Sequence, residues 1–262
     1  MKSNFLKSVL IVFLGSLFCD LSGQTVTYPQ DENSLRLMSY NVRNARGMDE
    51  KVDYERVADV IRKVSPDVVA LQELDSVTTR SENVDVLAVL GDLTKMYHVY
   101  SASIDYRGGK YGVGILSKEK PLSWRRIPLP GREEARSLLI VEFEKYVYCC
   151  THFSLNKEDR LASVKIITEE AKSYNKPVFI AGDFNGKPGS PEILEMQNSC
   201  QVLSNVKTPT FPSDKPRETI DYIFVYKQGE KTYTVLREKV LDEPLASDHL
   251  PLFVDVRMSG EK

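Results

Sequence analysis

The stretch Val178-Phe179-Ile180-Ala181-Gly182-Asp183-Phe184-Asn185 joins an apolar run to a glycine, and then to an acid and an amide two positions apart. A short apolar run that ends at a glycine is typical of a buried β-strand. Because side chains alternate along a strand, Asp183 and Asn185 are predicted to point to the same side at its end. A carboxylate beside an amide can take a proton from water and donate a hydrogen bond to an oxyanion. In the alternative interpretation, an Asx turn, the two side chains only close a loop.

Around this stretch the hydrophobic pattern predicts a single α/β domain, residues 35–258, with roughly ten strands and four helices interspersed. Several neighbouring strands form hairpins, and Gly108-Gly109 marks one turn. A core of two mixed sheets with helices outside therefore fits better than a doubly wound parallel sheet. The predicted helices are 54–64, 83–95, 158–174 and 191–198. The predicted strands are 35–40, 67–71, 97–103, 111–117, 138–143, 146–151, 178–181, 220–225, 232–240 and 252–256.

The N-terminus differs in composition from the rest of the chain. Lys2 and Lys7 stand before or at the start of a short apolar run that ends at Cys19. This pattern predicts an export signal, residues 1–23, rather than a membrane span or a buried helix. Residues 24–34 are predicted to be a loose start of the mature chain. We expect a periplasmic or extracellular protein, and Cys19 leaves anchoring as an outer-membrane lipoprotein open.

The charge balance argues against a long polyanionic substrate. Removal of residues 1–23 takes two lysines and one aspartate from the 35 basic and 37 acidic residues, so 33 and 36 remain. The sequence contains no basic stripe interleaved with aromatic residues that would attract nucleic acid. A bound divalent cation would, however, offset local negative charge. Cys149, Cys150 and Cys200 lack the spacing of a zinc site and are expected to be buried thiols.

Polar residues stand at the ends of several predicted strands. Oxygen donors such as Glu73 and Asn41 favour Mg²⁺ or Mn²⁺. Two of the three histidines of the chain, His152 and His249, also lie at such positions. Each residue alone fits a structural role equally well, but their joint occurrence at strand ends favours a functional site. The full set is Asn41, Glu73, His152, Asp183, Asn185, Asp221, Asp248 and His249.

These residues lie in short motifs whose order is similar to that of the endonuclease–exonuclease–phosphatase superfamily. The resemblance covers residues 35–257. It implies the deoxyribonuclease I-like fold, a four-layer α/β sandwich of two mixed, mostly antiparallel β-sheets flanked by helices, with the site at one edge of the sheets. It also implies a metal-dependent hydrolase of phosphate esters. The motifs are Ser-Tyr-Asn41-Val, Leu-Gln-Glu73, Tyr111-Gly-Val-Gly, Thr-His152, Gly-Asp183-Phe-Asn185, Ile-Asp221-Tyr and Ser-Asp248-His249.

The resemblance implies a role for each catalytic candidate. Asp183 would orient or deprotonate the attacking water, and Asn185 would donate to a phosphoryl oxygen. His249 would contact the phosphate, with Asp221 fixing its tautomer. His152 would stabilise the transition state or assist the leaving group.

The same resemblance implies a metal site for Mg²⁺, with Mn²⁺ as an alternative. Glu73 would hold the ion, with Asn41 beside it and Asp248 as a further ligand. Tyr111 would contact the phosphate.

Three arginines near the motifs are candidates for binding the substrate phosphate, because the guanidinium group is a preferred fork for phosphate. Arg80 resembles a position in a bacterial branch of the family. A surface ion pair with neighbouring acids is the alternative for each of them. The three are Arg80, Arg136 and Arg160.

Function is predicted more sharply than substrate. An exported Mg²⁺-dependent phosphoesterase is the first hypothesis, and a metal-dependent endo- or exonuclease on DNA or RNA is the alternative. A non-catalytic binding module on the same fold is a further, less favoured alternative, because such a module should have lost a key residue and none is lost. A serine or cysteine hydrolase would need a nucleophile elbow or a reactive cysteine. Export favours a small phosphate ester or a lipid head group over nucleic acid. A monomer without an obligate protein partner is expected.

Overall fold

Residues 28–229 and 231–258 are described by the structure, a computed structural model. Twelve strands in this part of the chain form two six-stranded sheets. The strands are β1 (Leu35–Asn41), β2 (Val68–Ser76), β3 (Tyr97–Tyr106), β4 (Gly109–Ser117), β5 (Ser123–Leu129), β6 (Arg136–Glu142), β7 (Val147–His152), β8 (Val178–Asp183), β9 (Cys200–Val202), β10 (Asp221–Tyr226), β11 (Tyr233–Val240) and β12 (Leu252–Met258). The first sheet has the order β11-β12-β1-β2-β4-β3 and the second the order β5-β6-β7-β8-β10-β9.

All four predicted helices are present, and caps explain where they begin. Asp53 accepts a hydrogen bond from the backbone N–H of Arg56, and Asn156 caps its helix in the same way. Each cap satisfies a backbone donor that has no partner inside the helix. The helices are α1 (Tyr54–Val64), α2 (Val86–Thr94), α3 (Lys157–Lys172) and α4 (Pro191–Ser199).

The two sheets pack face to face, and helices cover their outer faces. Successive residues of a strand face different layers. In β1, Leu37 lies in the core between the two sheets, and Met38 packs on the outer face with apolar residues of α1 and α2. In β8, Phe179 faces the core between the sheets and Ile180 faces α3 and α4. The predicted four-layer sandwich is therefore confirmed.

Two strands were not predicted, and their sequences explain why. β5 is an edge strand whose residues are mostly exposed or half-buried, so it lacks a clean apolar alternation. β9 has only three residues. β2 also runs past its predicted end and contains a bulge between Leu71 and Leu74.

The structure corrects the reason given for the closeness of Asp183 and Asn185. β8 ends at Asp183, and Asn185 has a left-handed backbone with φ of 47°. Its backbone N–H donates to Asp183 Oδ1 at 2.9 Å, which is the hydrogen bond of an Asx turn. An Asx turn, rather than the alternation of side chains along a strand, therefore places Asn185 beside Asp183.

Residues 28–34 are attached to the domain, although the sequence predicts a loose segment there. The buried Arg36 donates to the carbonyls of Tyr28 and Pro29, and the Tyr28 ring lies 5.3 Å from that of Phe253. Residues 1–27, with the predicted signal and Cys19, lie outside the described residues.

The three remaining cysteines are free and buried, as predicted. No helix in the described ranges is both long and apolar enough to cross a membrane.

The strand directions place the candidate residues at one edge. β1 and β2 are parallel in the first sheet, and β7 and β8 are parallel in the second. Carboxyl ends of parallel neighbours meet at the same edge. Asn41 at the end of β1 donates to Asp183 at the end of β8, so these edges of the two sheets adjoin.

Candidate active site

Asp183 lies at the centre of the site. It pairs in register with His152 at the end of β7 and with Asp221 at the start of β10. Three side-chain nitrogens surround Asp183 Oδ2: Asn41 Nδ2 at 3.2 Å, His152 Nε2 at 3.4 Å and His249 Nε2 at 3.7 Å. The structure thus brings together five of the residues that the sequence predicts for the site.

The environment makes Asp183 a stronger base than an ordinary aspartate. Burial raises its pKa, and the Asp221 carboxylate raises it further, while His249 and the hydrogen bonds from Asn185 and Asn41 oppose the rise. A carboxylate with a raised pKa accepts a proton more readily at neutral pH.

Asp221 orients His249 from the side away from Asp183. His249 Nδ1 lies 2.9 Å from Asp221 Oδ2, and a carboxylate only accepts, so Nδ1 carries the hydrogen. Burial alone would lower the pKa of His249, but the Asp221 and Asp183 carboxylates outweigh it and raise the pKa to about 10. His249 therefore holds a proton at neutral pH.

Sequence reasoning missed Thr210, which supports this pair. Its hydroxyl donates to Asp221 Oδ2 at 2.6 Å, and its side chain is buried. Thr210 lies in the irregular segment before β10, where no strand end or helix cap singles it out.

His152 is neutral, and its tautomer follows from its neighbours. Burial lowers its pKa well below the usual value, and the charges of Arg136 and His249 add to this. Arg136 can only donate, and its Nη1 lies 3.4 Å from His152 Nδ1. We infer that Nδ1 accepts and that the Nε2 hydrogen points toward Asp183.

Arg136 is buried, and its guanidinium is only partly used. It forms an ion pair with Glu134 at 2.6 Å, and its Nε has no hydrogen-bond partner among the described residues. An unpartnered buried donor beside His152 fits an anionic group of a ligand.

A bulge directs Glu73 toward the site. Leu71 and Leu74 pair with Gly114 and Gly112, so two residues of β2, Gln72 and Glu73, lie opposite one residue of β4. Glu73 has a φ of 61°, and its carboxylate accepts a hydrogen bond from Asn41 Nδ2 at 3.0 Å.

Glu73 and Asp248 provide two neighbouring carboxylates, and His249, Arg136 and Arg43 supply the positive charge around them. Burial raises the pKa of Glu73, and the Asp248 carboxylate also raises it, against a hydrogen bond from Asn41. In the described part of the chain no lysine or arginine forms an ion pair with Glu73, and Arg43 lies 3.8 Å from Asp248. Oxygen donors in such surroundings fit a hard divalent cation.

A second group of donors lies nearby: Asp183, Asp221 and His249 offer atoms within 4.8 Å of one another. Their nitrogen and oxygen atoms already form hydrogen bonds and close ion pairs among themselves. This geometry is that of a proton-transfer chain as well as of a ligand set.

Tyr111 and Arg80 flank the site as a packed unit. The Arg80 guanidinium donates twice to the buried Asp75, at 2.8 and 2.6 Å, and lies over the rings of Tyr106 and Tyr111. Burial raises the pKa of Tyr111, followed by the Glu73 charge, so its hydroxyl stays protonated. Asp75 thus accepts from Arg80 Nε and Nη2, which is the ion pair with a neighbouring acid that the sequence leaves as the alternative for Arg80.

Arg160 is not among the groups around Asp183. Its Nε donates to the buried Glu192 at 2.7 Å, and its Nη1 donates to the carbonyls of Ser154 and Leu155. Two of its three guanidinium nitrogens therefore donate to the protein, and the ion pair with Glu192 is the alternative expected for Arg160 from the sequence.

The four-layer sandwich, with acids, amides and histidines at adjoining strand ends, agrees with the class that the sequence predicts, the metal-dependent phosphoester hydrolases. The sequence model described as "Endonuclease/Exonuclease/phosphatase family" matches residues 38–249. The chain therefore belongs to this family. Its members depend on a divalent metal, and the chain is a metal-dependent hydrolase of phosphate ester bonds.

Solved structures show the same fold. An endonuclease/exonuclease/phosphatase from Beutenbergia cavernae is 24% identical, with a TM-score of 0.72, over 87% of this chain and 72% of that one. A family protein from Bacteroides vulgatus is 19% identical, with a TM-score of 0.71, over 87% and 100%. A mannosyl-6-phosphatase from Bacteroides thetaiotaomicron is 18% identical, with a TM-score of 0.67, over 85% and 99%. No curated protein matched the chain.

Proposed function

We propose that the protein is an exported Mg²⁺-dependent phosphoesterase in which water attacks phosphorus in line and Asp183 accepts the proton of that water. The observation that carries this proposal is the convergence of Asn41, His152 and His249 on Asp183 Oδ2. The buried carboxylate has a raised pKa and is held by fixed donors, as a general base requires.

The chain's own donors can hold the phosphate. His249 carries a proton between two carboxylates, and its charge can be shared with a phosphoryl oxygen. Arg136 Nε is buried without a hydrogen-bond partner among the described residues, and a charged hydrogen bond from it to a phosphate would be strong. Asn185 Nδ2 donates to the Phe153 carbonyl at 3.0 Å, which leaves its second hydrogen for the substrate.

His152 and Tyr111 complete the anion-binding surface. The neutral His152 can donate through Nε2 to a developing charge on the phosphoryl group or the leaving oxygen. The Tyr111 hydroxyl remains a donor because its pKa is raised by burial.

Glu73, Asn41 and Asp248 would hold the Mg²⁺ ion, and Mn²⁺ is an alternative with the same oxygen preference. When bound, the ion supplies positive charge that stabilises the negative charge of the phosphoryl group in the transition state. We assign Asp183, Asp221 and His249 to proton transfer and phosphate contact, because they already pair with one another.

For the substrate we propose a small phosphate ester or a lipid head group rather than nucleic acid. The predicted mature chain has 33 basic and 36 acidic residues, which gives no long-range attraction to a polyanion. The fold of a mannosyl-6-phosphatase is similar, so sugar phosphates belong among the candidates. We propose that the enzyme acts as a monomer in the periplasm or outside the cell, or on the outer membrane through Cys19.

A substrate panel tests this function. Sugar phosphates, phosphodiesters, sphingomyelin, DNA and RNA are offered to the protein with Mg²⁺, with Mn²⁺ or with EDTA. We expect hydrolysis of a small ester or a lipid that EDTA abolishes and Mg²⁺ restores. Hydrolysis that continues in EDTA would contradict the metal requirement, and preference for DNA or RNA would overturn the proposed substrate class. The intact mass of the exported protein separates cleavage near residue 23 from lipidation at Cys19.

A further inference from the structure

We propose that Arg160 and Glu192 form a positioning pair, which fixes the loop that follows His152 and the loop that carries Asn185. The inference rests on the proposed function, because that function assigns His152 and Asn185 to the reaction. It gives Arg160 a role different from the phosphate contact that its sequence position suggests.

Arg160 binds the loop that follows His152. It lies in the first turns of α3, and its Nη1 donates to Leu155 O at 2.7 Å and to Ser154 O at 3.3 Å. Its side chain is largely buried, with 13% exposure. The guanidinium therefore holds the backbone two and three residues beyond His152.

Glu192 presses on the loop that follows Asn185. It lies near the start of α4 and is fully buried. A Cβ atom added at Gly186 would lie 2.8 Å from Glu192 Oε1, so the carboxylate packs directly against this backbone. Tyr222 also fixes Gly186, because its hydroxyl donates to the Gly186 carbonyl at 2.8 Å.

The pair joins these two supports. Arg160 Nε and Glu192 Oε1 are 2.7 Å apart, and they connect α3, which follows β7, to α4, which follows β8. The loops themselves are also linked, since Asn185 Nδ2 donates to Phe153 O at 3.0 Å and Phe153 N donates to Asp183 O at 2.9 Å. A shift of either helix would therefore move His152 and Asn185 relative to Asp183.

Stability alone does not account for this arrangement. Glu192 Oε2 is buried without a hydrogen-bond partner among the described residues. Apolar residues of similar volume often replace a buried ion pair without loss of stability. Apolar side chains could not make the contacts of the ion pair. Arg160 binds the carbonyls of Ser154 and Leu155, and Glu192 packs against the backbone of Gly186.

The test compares turnover with folding. The double variant Arg160→Met/Glu192→Leu removes the pair but keeps the volume, and Arg160→Lys keeps the charge but cannot reach all three acceptors at once. Glu192→Gln keeps an acceptor for Arg160. We measure kcat and KM per folded molecule with the best substrate of the panel, with the folded fraction taken from circular dichroism. Arg36→Met/Asp255→Leu is the matched control.

The control replaces another buried ion pair, 2.6 Å long. Arg36 lies five residues before Asn41 in β1, about 16 Å along the strand. We expect kcat of the control to stay within about 2-fold of the wild type. We expect kcat of Arg160→Met/Glu192→Leu to fall about 10- to 100-fold with KM little changed, because small misplacements of catalytic groups cost rates of this order. Arg160→Lys should also lower kcat, and Glu192→Gln should retain it.

The kcat values of the folded variants decide the inference. It is supported if the two Arg160 variants lose kcat while folded and Glu192→Gln does not. It is overturned if either folded Arg160 variant keeps the wild-type kcat, or if the control pair loses kcat equally. Asp183→Asn distinguishes the proposed function from the role of the positioning pair. If the wild type turns over and Asp183→Asn does not, the function stands, and an overturning result at Arg160 concerns the positioning pair alone. If the wild type hydrolyses nothing in the panel, both the function and the pair's role are overturned.

Discussion

Asp221 lies directly opposite Asp183 in the register of β10 and β8, and His249 contacts both carboxylates. Nδ1 of the imidazole is 2.9 Å from Asp221 Oδ2, and Nε2 is 3.7 Å from Asp183 Oδ2. Two buried acids share one histidine, so the proton on His249 offsets charges that would otherwise repel each other. The site is therefore an electrostatic unit across two strands and a loop.

Asp221→Asn should return the pKa of His249 from about 10 toward its ordinary value, because the variant removes one of the two carboxylates that raise it. The ring nitrogens of His249, followed by ¹⁵N NMR in metal-free protein, report this directly. We expect the wild-type ring to remain protonated at pH 8. A His249 titration unchanged in the variant would contradict the pairing.

The same pair has a stability signature. The pKa of His249 is higher in the folded protein than its unfolded value of about 6.5. Protonated His249 therefore adds to the free energy of unfolding in full below about pH 6.5, and this stabilisation is lost as the pH rises through about 10. Urea unfolding of the metal-free wild type should show this loss between pH 6.5 and 10. In Asp221→Asn the free energy of unfolding should depend less on pH in that window. An equal pH dependence in both proteins would contradict the account.

Glu73→Gln should weaken metal binding without destabilising the metal-free protein. Burial raises the pKa of Glu73, so its ionised form disfavours the fold at neutral pH, and a neutral amide relieves that cost. Bound metal at about 100 times its Kd should stabilise the wild type by about 2.7 kcal/mol. We expect most of this rise, seen as a shift in Tm with Mg²⁺ or Mn²⁺, to disappear in Glu73→Gln. A full metal-induced shift in the variant would remove Glu73 from the ligand set.

Arg136→Lys should weaken phosphate binding, because lysine keeps the charge but not the fork. A charged hydrogen bond contributes about 1.5–3 kcal/mol, which corresponds to about 10- to 100-fold in KM or in inhibition by inorganic phosphate. Arg80→Lys is the matched control, since Asp75 occupies the Arg80 fork. The control should lower Tm rather than raise KM. A larger KM effect at Arg80 than at Arg136 would reverse the two assignments.

Asn185→Gly should separate chemistry from folding. Glycine adopts the φ of 47° without strain, so the turn should persist within about 1 kcal/mol of wild-type stability, while the amide is lost. Asn185→Ala loses the same amide and adds backbone strain of about 1–3 kcal/mol. We expect both variants to lose kcat and Asn185→Ala alone to lose clearly more stability in urea unfolding. Wild-type kcat in Asn185→Gly would exclude the amide from the reaction.

The sequence predicts the layers well, because apolar periodicity and caps are local signals. Asp53 and Asn156 begin helices where their side chains can accept from the next turn. β5 and β9 escape prediction for the same reason: an exposed edge strand and a three-residue strand have little local pattern.

The site is predicted in its members but not in its geometry. Strand ends and motifs single out Asp183, His249 and Glu73, while Thr210 gives no local signal because its role depends on a contact with Asp221. The bulge that aims Glu73 depends on pairing with β4, a non-local feature. Arg80 and Arg160 show the opposite case, since arginine near a motif does not reveal which acid will bind it.

The most direct test of the central claim is the rate of Asp183→Asn with the best phosphate ester in saturating Mg²⁺, measured in single turnover and corrected for folded protein. Asparagine keeps the size of the side chain but cannot accept the proton of the attacking water. The account predicts a fall of about 10²- to 10⁴-fold, the usual contribution of a general base. A rate within a few-fold of the wild type would contradict it.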